Sequence, residues 1–342
     1  MNARRSEEKF SRGVEALKGL AILGIVFYHY FRRETGVENQ FQWYFGRLPS
    51  HPQEWGYLGT SLFFILSGWA LTQSSGDSVV EPWGFYSRRL RRILPLYHLS
   101  LLVFFFGFLF LTTQNLGHLV AEFSLKAVFL QNFSAETIFS YNSSWWFLGT
   151  LVYLYAVYPW LHRRFLKQPD IALVFCLFLG FFLSHFLALP KVAGWNPFLA
   201  MGGFPFVKLG EFGFGIWVAR VGTRSERKWL VVTAALFALG LLGLKLPSFY
   251  PWHPIGLMAP LFLVAAWIPP FGLERLGAYS YGLFLFHRPL IDPWLRWLRL
   301  WGVPESAWLA PLAFTILLLL FTVPLEMMVN HVFRRRQQRG ES

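Results

Sequence analysis

The chain has 342 residues, of which 55% are hydrophobic, 20% aromatic and 14% charged. Soluble domains carry about 25% charged residues, so the composition excludes a water-soluble enzyme and points to an integral membrane protein. The net charge of +13 would suit a nucleic-acid binder, but the basic residues fall in short clusters between apolar runs. That pattern makes membrane lipids the surroundings, not nucleic acid the partner.

The first predicted element is a helix over 14–33, behind a cytoplasmic tail at 1–13. Its apolar run exceeds the 7–15-residue core of a cleavable signal peptide, so it reads as a first span. Lys18 and His29 are eleven residues apart. That is close to three helical turns, which puts both on one face about 16 Å apart. Glu15 lies three residues before Lys18 on the same stripe and can pair with it. Titratable groups inside a span are costly and usually have a task. Imidazole is the side chain whose ordinary pKa suits proton transfer near neutrality.

Further apolar runs of about 17–25 residues, the length that crosses a bilayer, predict spans over 55–73, 93–113, 146–165, 170–189, 203–220, 229–246, 254–269, 278–297 and 306–332. The connection 114–145 holds an amphipathic patch around AEFSLKAVFLQNF, expected as a re-entrant or interfacial helix. A basic cytoplasmic tail, 334–342, ends the series. The expected fold is an all-α bundle of about ten transmembrane helices forming one domain over 1–342. With the N-terminus inside, 21 Lys and Arg fall in inner segments and 8 in outer ones, while Lys208 and Arg288 fall within spans. The excess of positive charge puts both termini in the cytoplasm.

Cys176 is the one cysteine, so no internal disulfide forms. No C-x-x-C, H-E-x-x-H, G-x-G-x-x-G or Walker-type stretch occurs, which removes zincins, Rossmann enzymes and P-loop motors and leaves no metal expected. Arg88, Arg89, Arg91 and Arg92 read on charge alone as topological anchors, although paired guanidinium donors also suit phosphate. Ser67-Gly68 reads as a small-residue helix contact or as a place where a ligand passes close to backbone. Trp145 and Trp146 suit an interface belt, or stacking on sugar. His287, followed by Arg288 and Pro289, is either a satisfied helix-end group or a site residue. A transporter or flippase would use Lys18, Lys208, Glu211 and His29 as its polar path. The absence of an internal repeat or of an inverted pair of broken helices weighs against it. A non-catalytic scaffold leaves the buried stripe without a reason.

Five stretches, in this order, resemble membrane-bound acyltransferase family 3. They are RGVEALKGLAILGIVFYHYF (12–31), LFFILSGWAL (62–71), FYSRRLRRILPLY (85–97), SSWWFLGTL (143–151) and LGAYSYGLFLFHRPLI (276–291). Weaker echoes are VKLGEFGFGI (207–216) and PLEMMVN (324–330), where Glu211 and Glu326 stand at common carboxylate positions. The resemblance implies a multi-pass O-acyltransferase of a bacterial-type cytoplasmic membrane. Its co-substrate would be acyl-coenzyme A, with acetyl the expected group, and its acceptor a hydroxyl on a carbohydrate or glycoconjugate. His29 would be the general base, with Lys18 and Glu15 beside the reacting groups. Arg89, Arg92 and Arg88 would hold donor phosphates, with Ser67 close by, and Trp146, Glu211 and His287 would lie toward the acceptor. The chain departs from the family pattern in having Lys18 where Arg is commoner, Glu15-Ala16 for Asp-Gly, and Leu151 where one subgroup has Glu. No appended hydrolase-like domain is expected. His29 to Glu34 also forms an H-x-x-x-x-E string similar to the H-x-x-x-x-D of glycerolipid acyltransferases, with Glu34 expected outside the membrane.

Overall fold

The structure, a computed structural model, describes residues 2–31, 56–111, 115–189, 194–222, 225–265, 272–304 and 309–340. Glu34 lies outside these ranges. Every regular element among the described residues is helical. In chain order the α-helices are α1 (Asn2–Phe31), α2 (Leu58–Ser75), α3 (Pro82–Leu111), α4 (Leu116–Ala127), α5 (Trp146–Lys167), α6 (Pro169–Leu187), α7 (Leu209–Trp217), α8 (Glu226–Lys245), α9 (His253–Leu263), α10 (Leu273–Ala278), α11 (Ser280–Leu300) and α12 (Leu309–Gly340).

Among the described residues each apolar run lies largely in helix, but several boundaries differ. α1 runs without a break from Asn2 to Phe31, so helix reaches back into the segment expected as a tail. α3 starts eleven residues before the expected position 93, because Glu81 and Pro82 begin a helix there. The Glu81 carboxylate accepts the backbone N–H of Trp83 at 2.8 Å and that of Gly84, and Pro82 stands in the first turn, where a missing N–H costs nothing. These two N–H groups, Gly84 first, hold the Glu81 carboxyl below its ordinary pKa. The arginine cluster is therefore on a helix and not in a loop. The run 203–220 divides into a 3₁₀ turn (Pro205–Lys208), α7 and a π-helical turn (Val218–Gly222). α4 covers the first half of the amphipathic patch expected within 114–145, and the patch ends in a 3₁₀ turn, Gln131–Phe133.

Among the described residues four helices are long and apolar enough to cross a membrane by length and composition alone: Pro82–Phe110, Pro169–Leu187, Glu226–Lys245 and Leu309–His331. They form the outer layer, and α6 shows why: Val174, Phe178 and Phe182 are exposed along it, a surface suited to hydrocarbon. α2 and α7 are mostly buried and make the inner layer together with α1, α5 and α11. Their approach depends on glycine. A Cβ on Gly68 would lie 2.1 Å from the Phe212 carbonyl oxygen, and one on Gly215 would lie 1.9 Å from that of Ile65. The small-residue contact expected at Ser67-Gly68 is this α2–α7 crossing. α10 packs against α1 in the same way, with Gly277 against the Glu15 carbonyl. This fixes the Glu15–Lys18 stripe at the edge of a large cavity.

Candidate active site

The cavity has a volume of about 1280 Å³ and is lined by α1, α2, α3, α5, α10, α11 and α12. Its cations are Lys18, Arg89, Arg91 and Arg92, and its carboxylates are Glu15 and Glu326; Ser67 and Tyr155 also line it. Lys18 Nζ donates to Glu15 Oε1 at 2.6 Å, the pairing expected from their spacing. Arg89 is half-buried, donates through Nη2 to Ser74 Oγ at 3.0 Å and lies over the Phe85 ring. The α-helical register of 89–92 turns Arg91 toward the cavity as well. Arg88 is exposed and is not among the residues lining it. The expected donor set holds Arg88 and not Arg91, since a helix beginning at 93 leaves both in a loop with no register to tell them apart.

A second cluster lies beyond the aromatic wall. Phe147 and Phe284 line the cavity and meet edge to face, with centroids 5.2 Å apart. Phe284 also packs on the ring of His287, 6.0 Å away. Behind it His29 Nε2 and His287 Nε2 approach one hydroxyl, Ser144 Oγ, at 3.2 and 3.3 Å. The two rings are 5.3 Å apart. His287 is fully buried, while His29 is half-buried. α11 brings His287 here and α1 brings His29. Ser144 arrives in the turn before α5, which is fastened to α11 at one carbonyl: Asn142 Nδ2 and Trp145 Nε1 both donate to Leu285 O, at 2.8 and 3.3 Å. Asn142 Oδ1 in turn accepts the backbone N–H of Ser144 at 2.9 Å.

The expected site residues are therefore not gathered in one place, and most of them form two groups. Lys18, Glu15, Arg89, Arg92 and Ser67 share the cavity, and His29 and His287 meet at Ser144. Trp146 and Glu211 belong to neither. Trp146 packs against Phe198 at 5.0 Å. Glu211 accepts from Lys208 Nζ at 3.0 Å and from Ser61 Oγ at 3.3 Å, with both members of the ion pair almost fully buried. Such a closed pair is an internal brace rather than an open polar path, and it packs α2 against α7. Ser144 was not legible as a functional residue, because its partners lie 115 and 143 residues away. The one local signal is its place immediately before Trp145-Trp146. Among the described residues no three His, Cys, Asp or Glu side chains gather as a metal-binding group.

A family model described as an acyltransferase domain matches residues 11–329. A protein of Acidianus two-tailed virus bearing the name "Putative acetyltransferase" is 25% identical over 297 residues, covering 82% of this chain and 83% of its own length. A Staphylococcus aureus protein named "Putative O-acetyltransferase" is 23% identical over 295 residues, 85% of this chain. The peptidoglycan O-acetyltransferase of Listeria monocytogenes is 20% identical over 337 residues, 84% of this chain. The match spans 42% of the staphylococcal relative and 50% of the listerial one. No solved structure gives a significant match.

Proposed function

The chain belongs to acyltransferase family 3, and from that premise we propose that it moves an acetyl group from cytoplasmic acetyl-coenzyme A to a hydroxyl of a carbohydrate or glycoconjugate. It does so as one domain of about ten spans in a bacterial-type cytoplasmic membrane, with both termini inside. The observation that carries this reading is the adjacency of two unlike sites. One is a cavity with three arginines and a lysine, which suits a polyanionic donor. The other is a paired imidazole centre one aromatic wall away. The names of the staphylococcal and listerial relatives support acetyl transfer to oxygen, and the listerial one supports a glycan acceptor.

The donor's phosphates lie against Arg89 and Arg92, where charge-assisted hydrogen bonds are the strong kind. The thioester arm runs past Phe147 and Phe284 toward His29. The acceptor enters from the other side of the membrane. His29 removes the proton of its hydroxyl as the oxygen attacks the thioester carbonyl, and coenzyme A leaves as the thiol. Lys18, held by Glu15, stabilises the charge of the donor. The transfer is direct. Thermal unfolding of the purified chain tests donor binding: coenzyme A at about 100 times its dissociation constant should raise stability by about 2.7 kcal/mol. A chain whose unfolding is indifferent to millimolar coenzyme A would contradict the cytoplasmic donor.

A further inference from the structure

We infer that Ser144 and His287 are positioning residues that extend His29 into a three-group proton relay. The inference rests on the proposed role of His29. Its starting point is a count of protons on a shared hydroxyl. His287 Nδ1 lies 3.1 Å from the carbonyl oxygen of Leu283 and 3.0 Å from that of Phe284. Carbonyls only accept, so Nδ1 carries the hydrogen and donates to them. The neutral ring then has its lone pair on Nε2. Ser144 Oγ lies 3.3 Å from that nitrogen and must donate to it. A hydroxyl has one proton, so its remaining contact, with His29 Nε2 at 3.2 Å, must be one that Oγ accepts. The network thus assigns the tautomers: His29 bears its hydrogen on Nε2, and Nδ1 is the nitrogen left for an incoming hydroxyl.

The relay follows from this order. Nδ1 of His29 takes the acceptor proton. Its Nε2 proton passes to Ser144 Oγ, and the serine proton passes to His287 Nε2. His29 ends neutral with its hydrogen on Nδ1, Ser144 ends as the hydroxyl it was, and His287 becomes the imidazolium. Its Nδ1–H already faces two backbone carbonyls, and hydrogen bonds of this kind strengthen when the donor is charged. When the carbon–sulfur bond breaks, the proton returns along the same three groups and leaves on the thiol of coenzyme A. Proton and charge both balance, and no further reactant is needed. The arrangement moves the positive charge from the half-buried ring of α1 to the fully buried ring of α11.

Groups that work as a unit give non-additive losses when removed, and this separates a relay from two independent supports. The assay uses membranes of the source organism lacking its own gene copy and expressing the full chain, given radiolabelled acetyl-coenzyme A. Label transferred to mild-base-labile ester is read per mole of inserted protein. Ser144→Ala and His287→Ala are each expected to lower the turnover rate at saturating donor about 10–100-fold, a part of the usual worth of acid–base catalysis. Donor KM should hold, since neither residue lines the cavity. The double variant is expected to be no slower than the slower single, and Ser144→Thr, which keeps the hydroxyl, should recover most of the rate. A double variant whose loss is the product of the two single losses would overturn the relay, as would Ser144→Ala at wild-type turnover. In either case His29→Ala reports separately: an inactive His29→Ala keeps the general base, while an active one removes it and the relay together.

Discussion

At the scale of single residues, the stripe on α1 was legible in sequence because helical periodicity alone aligns Glu15, Lys18 and His29. The 2.6 Å ion pair fulfils the first half of that pattern. What each group faces was not legible, since it depends on α3, α5 and α11 closing around the stripe. His29→Ala should insert normally, bind coenzyme A as the wild type does, and lose acyl transfer by about 10²–10⁴-fold. His29→Gln should fail equally, because an amide hydrogen-bonds but takes no proton at neutral pH. Lys18→Arg should be mild. Lys18→Ala should cost more, as it leaves Glu15 without its ion-pair partner in the cavity proposed for the donor. Rates measured per inserted molecule decide the matter: near wild-type transfer by His29→Ala would take the imidazole out of the chemistry.

At the scale of elements, the sequence placed helices well and their starts poorly. Apolar length is a property of the whole segment, whereas the start of α3 is set by two residues, Glu81 and Pro82, that carry no hydropathy signal. The shift matters for function, because it puts the arginines on successive faces of a helix and brings Arg91 to the cavity. Arg89→Ala with Arg92→Ala should raise KM for acetyl-coenzyme A far more than KM for the acceptor. Each charge-assisted hydrogen bond to phosphate is worth about 1.5–3 kcal/mol. Unaltered donor KM in the double variant would return these residues to topology. The inner layer makes a separate demand. Gly215→Ala would drive a methyl group into the Ile65 carbonyl and should destabilise the chain by about 1–3 kcal/mol, as overpacking does. Thermal unfolding in detergent checks this, and an unchanged midpoint would mean that α2 and α7 are not closely packed.

At the scale of the whole molecule, composition was enough to give a helical membrane protein. It could not foresee that the expected site divides in two. That division arises because α1 runs past the aromatic wall of Phe147 and Phe284, leaving Lys18 on one side and His29 on the other. The separation suits a transfer in which donor and acceptor enter from opposite faces of a bilayer, and it makes sidedness a prediction. Reporter fusions in the 191–202 and 220–228 connections should report opposite sides of the membrane; both on one side would contradict the arrangement of spans. Acetyl transfer to a glycan through His29 is tested by mass spectrometry of envelope glycans from the source organism with the gene intact, deleted, and restored as His29→Ala. Glycan species should gain one base-labile acetyl group with the intact gene and lose it in both other strains, as acetyl transfer through His29 requires. Glycans of unchanged acetyl content after deletion, or fully acetylated with His29→Ala, would contradict it.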